Sequence, residues 1–312
     1  MMIDIEKKEK YQIFCDSTYT PIFSQSWWLD ITCNGNWDVY LFESGGEVIA
    51  AMPYYIHDTH GLKKITKPLL TQNNGIIIKY PKDQKYFKKL HYEEKIINKV
   101  CDFIEDLPID RYEQQYHYSF TNWLPFYWRK YQEITRYTYV IENTQDMNCV
   151  WNDFSPNLRN MIRKSEKNNL MIREDLEISA MYEVNKMTFD RQNIEIPYSL
   201  KFLIKLDEAC KSNNCCKNYY AIDDENRIHA IIYLIWDQQS MYLLLGGSNP
   251  ELRKSQAYDA LIYRGIKLAS DLGLKFDFEG SVIKQIEHSF REFGAVQKPY
   301  FRIYKDFKKQ ED

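Results

Sequence analysis

The stretch that decides the fold reads Arg227-Ile-His-Ala-Ile-Ile-Tyr-Leu-Ile-Trp236, followed after a short polar turn by Ser240-Met-Tyr-Leu-Leu-Leu-Gly-Gly247. Both runs are rich in β-branched and aromatic residues, which is typical of buried strands. A third predicted strand, Asn218–Asp223, precedes them, and an amphipathic helix, Tyr258–Leu272, follows them. This order predicts an antiparallel meander followed by a helix, within an α/β (α+β) domain.

The same succession of elements occurs earlier in the chain, so that the pattern spans residues 47–142 and again residues 227–305. The first copy opens with the strand Glu47-Val-Ile-Ala-Ala-Met-Pro-Tyr-Tyr-Ile56 and reaches an amphipathic helix at Tyr92–Glu105. A solenoid repeat is roughly 20 to 50 residues long, so this longer repeat indicates a duplicated domain. We predict two domains, 1–145 and 146–312, joined in the polar stretch that follows Glu142.

Charge and cysteine usage limit the classes of partner and cofactor. The 312 residues include 41 Lys and Arg against 44 Asp and Glu, a net charge of −3. Since DNA binding needs a broad cationic surface, we expect no DNA partner. The seven Cys and six His show neither zinc-ligand spacing nor a Ser-His-Asp pattern, so we expect reduced thiols and no metal. No apolar run is long enough to span a bilayer, and we expect a soluble, cytoplasmic protein.

A cationic helix is predicted near the start of the second domain. In Ser155-Pro-Asn-Leu-Arg159 the serine can cap a helix and the proline suits its first position. Arg159, Arg163 and Lys167 then recur at every fourth position, which places them on one helix face. Two interpretations stay open: a solvated helix face, or recognition of a phosphorylated ligand.

Four stretches of the second domain, taken with the order of its elements, resemble the GNAT acyltransferase fold. The resemblance is greatest to the branch that holds the Fem peptidyltransferases and the Fem-like acetyltransferase domains. In the first domain it rests on Phe23-Ser-Gln-Ser-Trp27 and on the repeat, and it implies two tandem GNAT-like domains, the first of them degenerate. The four stretches are Ser155-Pro-Asn-Leu-Arg-Asn-Met-Ile-Arg-Lys164, Thr188-Phe-Asp-Arg-Gln192 with Pro197-Tyr-Ser199, Phe276-Asp-Phe-Glu-Gly-Ser281, and Phe290-Arg-Glu-Phe-Gly294 with Pro299-Tyr300.

The resemblance implies where an acyl donor would bind. In a GNAT fold two strands diverge, their free backbone groups hold the donor, and the next helix receives its pyrophosphate at its amino end. Here the strand is Met241–Gly247, the helix is Tyr258–Leu272, and the connecting loop Ser248–Gln256 lacks the glycines of a coenzyme A-binding turn. The implied donor-binding residues are Gly247, Ser248, Arg253, Lys254 and Ser255.

Two kinds of donor follow from the resemblance. One is acetyl-CoA or another acyl-CoA, held by side chains where the family usually has glycine. The other is aminoacyl-tRNA, since the Fem peptidyltransferases also lack a functional coenzyme A loop and transfer an amino acid from tRNA to a cell-wall precursor. The sequence alone leaves both donors open, and with them a tRNA partner.

Residues after the donor helix are candidates for the chemistry. We expect Asp277 and Glu279 to alternate along one strand face, with Glu279 as base or amine-binding carboxylate. The family's Phe-Lys pair reads Phe290-Arg291 here; an arginine cannot deprotonate to act as a base, so it would hold an anion or developing oxyanion. The proposed catalytic residues are Glu279, Arg291 and Tyr300, and the proposed substrate-binding residues are Arg159, Arg163, Arg191, Asp277 and Phe290.

The expected function is transfer of an acetyl or aminoacyl group to an amine on a phosphorylated sugar, peptide or cell-envelope precursor. The site is predicted in the second domain, since the first has no comparable chemistry. The alternative is a catalytically inactive GNAT-like module that binds a ligand and has lost its donor site. The glycine-free loop is the observation that suggests this alternative.

Overall fold

A computed structural model describes residues 5–307, and the chain forms two compact units. The first unit runs to Arg136 and resumes at Pro299, and the second comprises Tyr137–Lys298. Compared with the predicted division at 145/146, residues 137–145 join the second unit and the residues from Pro299 onwards join the first. Both boundaries between the units fall within strands, one in Gln132–Ile141 and one in Val296–Asp306. Sequence composition does not indicate a domain boundary inside a strand.

Ten α-helices and thirteen strands lie among the described residues. The helices are α1 (Ile5–Ser17), α2 (Ser26–Thr32), α3 (Tyr86–Asp106), α4 (Leu124–Trp128), α5 (Met147–Asp153), α6 (Pro156–Glu166), α7 (Ile178–Asp190), α8 (Leu200–Ser212), α9 (Ala257–Asp271) and α10 (Lys284–Glu292). The strands are β1 (Asp38–Ser44), β2 (Glu47–Tyr54), β3 (Ile56–Thr59), β4 (Leu62–Ile65), β5 (Ile77–Ile78), β6 (Arg111–Gln115), β7 (Gln132–Ile141), β8 (Met171–Glu174), β9 (Cys216–Ile222), β10 (Ile228–Trp236), β11 (Ser240–Ser248), β12 (Lys275–Asp277) and β13 (Val296–Asp306).

The first unit contains two strand assemblies, one ordered β1-β2-β5 and one ordered β3-β4-β6-β13. Its opening hairpin is the predicted one, because β1 and β2 pair antiparallel across Gly45 and Gly46, which have positive φ angles of 63° and 81°. Only glycine adopts that conformation without strain. The apolar face of α3 supplies Ile96, Ile97 and Val100 to the core of this unit, and all three are fully buried.

The second unit is built on strands in the order β7-β12-β11-β10-β9-β8. The predicted meander is present, since β9, β10 and β11 pair antiparallel in turn, whereas β12 runs parallel to β11. Helices α6 and α9 pack on one face of the sheet through a core that includes Ile162, Leu261 and Phe276. Helix α7 packs on the opposite face, against β10 and β11. No helix among residues 5–307 is long and apolar enough to cross a membrane.

Candidate functional site

Strand β11 has one edge that is only partly covered. On one side it pairs with β10 along the register Ala230↔Ser248 to Trp236↔Met241. On the other side it pairs with β12 only at Ser240–Tyr242, because β12 ends at Asp277. The edge from Leu243 to Ser248 therefore has no strand partner on that side among the described residues. This segment is called the uncovered edge in the sense that no described strand pairs with it on that side; Leu243, Leu244, Leu245 and Gly247 are buried, and Gly246 and Ser248 are its partly exposed residues.

A β-bulge in β11 sets which way the end of this strand faces. Leu234 pairs with Leu243, whereas its neighbour Tyr233 pairs with Leu245, so Leu244 is the inserted residue. A bulge shifts the alternation of side chains by one position. The shift directs Gly246 towards α9 and its successor Gly247 towards α7.

Both glycines lie against other elements so closely that a larger residue would not fit. A Cβ atom at Gly246 would lie 2.4 Å from the hydroxyl of Tyr258 in α9. A Cβ atom at Gly247 would lie 2.9 Å from Oγ1 of Thr188 and 3.0 Å from the backbone oxygen of Val184, both in α7. Gly247 was predicted to contact the donor. In the structure α7 packs so closely on β11 at this position that glycine is the residue that fits.

A buried polar link joins this strand to the segment after α7. Asn185, which is 4% exposed, donates a hydrogen bond from Nδ2 to the backbone oxygen of Gly246 at 2.9 Å. The hydroxyl of Tyr198 donates to Oδ1 of Asn185 at 2.5 Å, and burial raises the pKa of Tyr198. Sequence reasoning missed Asn185, since one asparagine in an amphipathic helix carries no signal. Tyr198 stood in one of the motif stretches without an assigned role.

The loop after β11 is a short 3₁₀ helix, Pro250–Ser255, in the place of a glycine turn. Asn249 caps it by accepting a hydrogen bond from the amide of Glu251 at 3.0 Å. The exposed side chains of Arg253 and Lys254 lie in its last turn. Because the loop is helical, its backbone amides are partly engaged, and any phosphate contact falls to these side chains and to the start of α9.

Helix α9 begins one residue earlier than predicted and carries an acidic group in its first turn. Its N-cap residue, Gln256, has a positive φ of 58° and makes no side-chain cap. Burial raises the pKa of the Asp259 carboxyl to about 6, against the opposing effect of the positive charge of Arg253. Sequence reasoning did not single out Asp259, since an acidic residue in a first turn is common. An anion at this helix start would thus meet two cations and one carboxyl whose charge is disfavoured by burial.

Ser248 and Ser255, the remaining predicted donor residues, border the same loop. Ser248 ends β11 opposite Ala230. The hydroxyl of Ser255 already donates to the backbone oxygen of Leu252 at 2.8 Å, and its own backbone oxygen accepts from Nδ2 of Asn168 at 3.0 Å. The structure therefore brings the turn that follows α6 against the predicted donor loop.

The predicted arrangement of Asp277 and Glu279 on one strand face is wrong. Strand β12 ends at Asp277, and Glu279 lies beyond it with a positive φ of 61°, so the alternation of a strand does not continue. Asp277 is 1% exposed and accepts hydrogen bonds from Oγ1 of Thr138 at 2.5 Å and from the amide of Glu279 at 2.8 Å. These bonds hold the chain as it leaves the strand.

The predicted pair Phe290-Arg291 separates into a core residue and a surface residue. Phe290 is 7% exposed and packs 4.9 Å, centroid to centroid, from Phe278. Arg291 is 55% exposed, and its Nε lies 2.9 Å from Oε1 of Glu287, one turn earlier in α10. Glu287 also accepts a hydrogen bond from the hydroxyl of Tyr139. Phe290 thus anchors α10, while Arg291 stays accessible.

The cationic helix is shorter than its sequence pattern suggested. Ser155 caps α6 as predicted, by accepting from the amide of Leu158 at 3.1 Å. The helix ends at Glu166, so Lys167 is its C-cap, while Arg159 and Arg163 lie within the helix. Arg159 donates to the backbone oxygen of Asn152 at 3.2 Å, and Arg163 lies 5.5 Å from the ring centroid of Trp151. Both arginines are thus held against the end of α5.

A cavity of about 700 Å³ lies beside α7 and the segment that follows it. Its lining mixes polar and apolar side chains, and it includes an ion pair of 2.7 Å between Lys186 and Asp190 and a further carboxylate from Glu195. Tyr198 lines this cavity and also bonds to Asn185, so two hydrogen bonds connect the cavity wall to Gly246 of β11. Arg191, predicted to bind substrate, directly follows Asp190 as the exposed C-cap of α7.

Tyr300 belongs to the first unit, in the part of β13 that follows Pro299, and is half-buried. The other predicted catalytic and binding residues belong to the second unit. No role for Tyr300 follows from its own surroundings.

Comparisons with known proteins fit this geometry. Residues 152–283 match the sequence model of the acetyltransferase (GNAT) domain. The crystal structure of FemX is similar over 96% of this chain and 96% of that chain, with a TM-score of 0.71 at 11% identity. No curated protein sequence matches the chain significantly.

Two further solved structures share the arrangement over nearly their whole length. L-PGS from Bacillus licheniformis matches with a TM-score of 0.55 at 9% identity, covering 98% of this chain and 94% of that one. A tandem GNAT protein from the clavulanic acid biosynthesis pathway matches with a TM-score of 0.54 at 6% identity, covering 99% and 97%. At such identities these likenesses show the fold alone. Together with the family model they confirm the predicted fold, two tandem GNAT-like domains, and the similarity to FemX is a similarity of fold to a structure of the kind that the sequence resembles.

Proposed function

From the tandem GNAT fold we propose that this protein is an N-acyltransferase, which moves an acyl or aminoacyl group from a phosphate-bearing carrier to an amine on a phosphorylated sugar, peptide or cell-envelope precursor. The observation that carries this proposal is the uncovered edge of β11 from Leu243 to Ser248, which leads directly into a cationic loop and the start of α9. A carrier can hydrogen-bond along that edge while its phosphates lie at the helix start.

The donor's phosphates are assigned to Arg253, Lys254 and Ser255, with Gly247 and Ser248 lining the strand. Acyl-CoA and aminoacyl-tRNA both carry phosphate groups in the same molecule as a reactive acyl bond, so cations are suited to bind either donor. The 3₁₀ helix replaces the backbone cradle of a glycine turn with side-chain contacts. Side-chain contacts tolerate a carrier of a different shape better than a closed backbone turn does.

The acceptor is assigned to the cavity beside α7. Its carboxylates, Asp190 and Glu195, suit an ammonium group on the acceptor, and Lys186 limits the local negative charge. The link from Tyr198 through Asn185 to Gly246 supports an amine bound there within reach of the donor strand. Arg191, which directly follows the cavity residue Asp190, is proposed to hold a phosphate of the acceptor. Arg159 and Arg163 lie in α6, on the other face of the sheet, and their substrate-binding role stays a prediction from the sequence, as do the roles of Asp277 and Phe290.

The chemistry needs few groups. The acceptor nitrogen forms a bond to the acyl carbon, the bond between that carbon and the carrier's sulfur or oxygen breaks, and the amine's proton leaves to a base while the carrier gains one. Glu279 is the proposed base, and Arg291 is proposed to stabilise the oxyanion. Tyr300, which belongs to the first unit, stays a prediction from the sequence for the donor of the carrier's proton. Arg291 is 55% exposed, which leaves its guanidinium accessible to a ligand despite its pair with Glu287.

The test measures binding of the two donors by calorimetry. The full chain is titrated with acetyl-CoA, with free coenzyme A, with aminoacyl-tRNA and with the same tRNA deacylated. The variant Arg253→Gln/Lys254→Gln is expected to weaken the productive donor by about tenfold or more, since two charge-assisted contacts are lost. Lys201→Gln/Lys205→Gln, which removes two exposed charges from α8, is the matched control and is expected to bind like wild type.

A response to coenzyme A but not to tRNA identifies an acyl-CoA donor, and the reverse identifies aminoacyl-tRNA. Unchanged donor affinity in the Arg253→Gln/Lys254→Gln variant would show that the phosphate assignment is wrong.

The second candidate function is a catalytically inactive binding module. The observation in its favour is the 3₁₀ helix that stands where coenzyme A-binding members have a glycine turn. Such a module would respond to an amine-bearing phosphorylated ligand and to neither donor. Stabilisation of the folded protein by a panel of nucleotide-sugars, without any donor response, would favour it over the enzyme.

A further inference from the structure

A surface of lysines and aromatic rings surrounds the beginning of α3 in the first unit. Its members are Lys82, Lys85, Tyr86, Phe87 and Lys88, here called the α3 surface. Tyr86 is 70% exposed and Phe87 is 56% exposed, while the three lysines are exposed as well. Two adjacent large rings in solvent are unusual beside a helix whose other face is fully buried.

The lysines of this surface are not neutralised by the protein itself. Within the described chain no carboxylate lies within 4.0 Å of the ammonium groups of Lys82, Lys85 or Lys88. Their neighbours Lys79 and Lys89 do have partners, Glu47 at 3.8 Å and Glu93 at 3.7 Å. The amino end of α3 adds partial positive charge at the same place. The α3 surface is therefore a local cationic site on a protein whose net charge is −3.

The exposed rings of Tyr86 and Phe87 make few contacts with the rest of the protein, whereas the nearby Tyr80 and Tyr92 are hydrogen-bonded. Tyr80 donates to Oε1 of Glu93 at 2.7 Å, and Tyr92 donates to the backbone oxygen of Lys79 at 3.1 Å. Phe87 has a single edge contact, with the exposed ring of His91 at 6.4 Å between centroids. Tyr86 and Phe87 are thus available to a partner.

We propose that the α3 surface docks the protein onto an anionic lipid bilayer. Lysines next to an anionic membrane surface each add attraction, and interfacial aromatic rings insert among the headgroups. Tyr86 and Phe87 lie between Lys85 and Lys88 in the sequence, and all four side chains are exposed at the beginning of α3. The inference does not depend on the proposed acyl transfer.

A bilayer fits this surface better than RNA does. RNA recognition favours arginine, whose planar guanidinium stacks on bases and binds phosphate with two nitrogens. The stretch from Lys79 to Lys89 contains five lysines and no arginine. A bilayer needs only net charge and apolar rings at its interface, and both are present.

The test is co-sedimentation of the full-length protein with vesicles. Vesicles of phosphatidylcholine alone are compared with vesicles containing 30% phosphatidylglycerol, roughly the anionic fraction at which lysine attraction is expected to be effective. Binding to the anionic vesicles is expected, with a loss at high salt because surface charges are screened. Lys85→Gln/Lys88→Gln is expected to weaken that binding by about 30-fold, since each lysine adds about fivefold.

Two more variants separate charge from insertion. Tyr86→Ser/Phe87→Ser is expected to weaken binding by about tenfold while leaving the charge unchanged. Lys201→Gln/Lys205→Gln, which removes two exposed lysines from α8, is the control and is expected to bind like wild type. Circular dichroism of each variant shows that it is folded.

Three results would overturn the proposal. The first is equal binding to neutral and anionic vesicles, and the second is loss of binding in the α8 control to the same extent as in Lys85→Gln/Lys88→Gln. The third is absence of vesicle binding together with tRNA binding, measured by fluorescence anisotropy, that depends on Lys85 and Lys88; this would assign the surface to RNA.

Discussion

The substitution Asn185→Ala tests whether one buried side chain fixes the uncovered end of β11. Asn185 donates to the backbone oxygen of Gly246 at 2.9 Å and accepts from the hydroxyl of Tyr198 at 2.5 Å. Both Asn185 and Tyr198 are at most 5% exposed, so water does not readily replace either bond. The substitution removes both bonds and leaves the helix intact, because alanine is a good helix former.

The expected magnitude follows from the two bonds. Leaving a buried donor or acceptor unsatisfied costs about 1–3 kcal/mol, so two such groups cost about 2–6 kcal/mol. Tyr198→Phe keeps the ring, removes one of the bonds and leaves one buried acceptor, Oδ1 of Asn185, unsatisfied, so we expect about 1–3 kcal/mol for it. The order of effects is therefore Asn185→Ala above Tyr198→Phe.

The assay is hydrogen exchange of the peptides that cover β11, read by mass spectrometry. A local loss of 2 kcal/mol corresponds to exchange about 30-fold faster, which is the smallest change expected for Asn185→Ala. Lys186→Ala is the matched control, because Lys186 is the next residue of α7 and makes only an exposed ion pair with Asp190. Such a pair contributes about 0.3–0.5 kcal/mol.

Two results would refute the reasoning. Exchange of β11 in Asn185→Ala within about threefold of wild type would mean that the bond to Gly246 does not hold the strand. A larger effect of Tyr198→Phe than of Asn185→Ala would mean that the tyrosine acts through some other contact.

Three further predictions concern the same unit. Gly247→Ala is expected to destabilise it by about 1–3 kcal/mol in urea unfolding, because the new Cβ meets the backbone oxygen of Val184 at 3.0 Å; a change no larger than that of Ser248→Ala, which adds no atom, would contradict this. The raised pKa of Asp259, about 6, means that the folded state binds this proton more tightly than the unfolded state. As the pH rises from about 4 to about 6, stability is therefore expected to fall by on the order of 2–3 kcal/mol. Asp259→Asn should flatten that slope, and parallel pH profiles of wild type and variant would contradict this prediction. Thr138→Val should cost about 1.5–3 kcal/mol by removing the 2.5 Å bond to buried Asp277, whereas Thr138→Ser keeps the hydroxyl and should cost much less; equal losses in the two variants would point to packing instead.

The elements that the sequence predicted well are those whose signals are local. The meander β9-β10-β11 follows from β-branched runs between polar turns, and the hairpin β1-β2 follows from Gly45-Gly46. The cap at Ser155 follows from a serine before a proline. Each of these depends on residues a few positions apart.

The predictions that were wrong concern residues whose positions depend on neighbours far away in the sequence. The alternation of Asp277 with Glu279 fails because the chain turns at Glu279 to meet the backbone of Tyr137 and Thr138, about 140 positions earlier in the sequence; a Cβ at Gly280 would lie 2.1 Å from the backbone oxygen of Tyr137. Phe290 reads as a site residue in its motif, yet it packs against Phe278 and Tyr139 in the core. No local pattern reports such distant neighbours.

By itself the sequence determined the class of fold, the order of its elements, the glycine-free loop after β11 and the cations within it, since propensity, capping and turn chemistry are properties of short segments. Only the tertiary structure decided that Leu244 forms a bulge, that Gly246 and Gly247 face α9 and α7, and that Asn185 reaches the strand from another element. The physical reason is that a bulge, a close approach and a buried hydrogen bond are each defined by a partner far away in the chain. The candidate site is made of such partners, so its residues can be named from the sequence while their arrangement cannot.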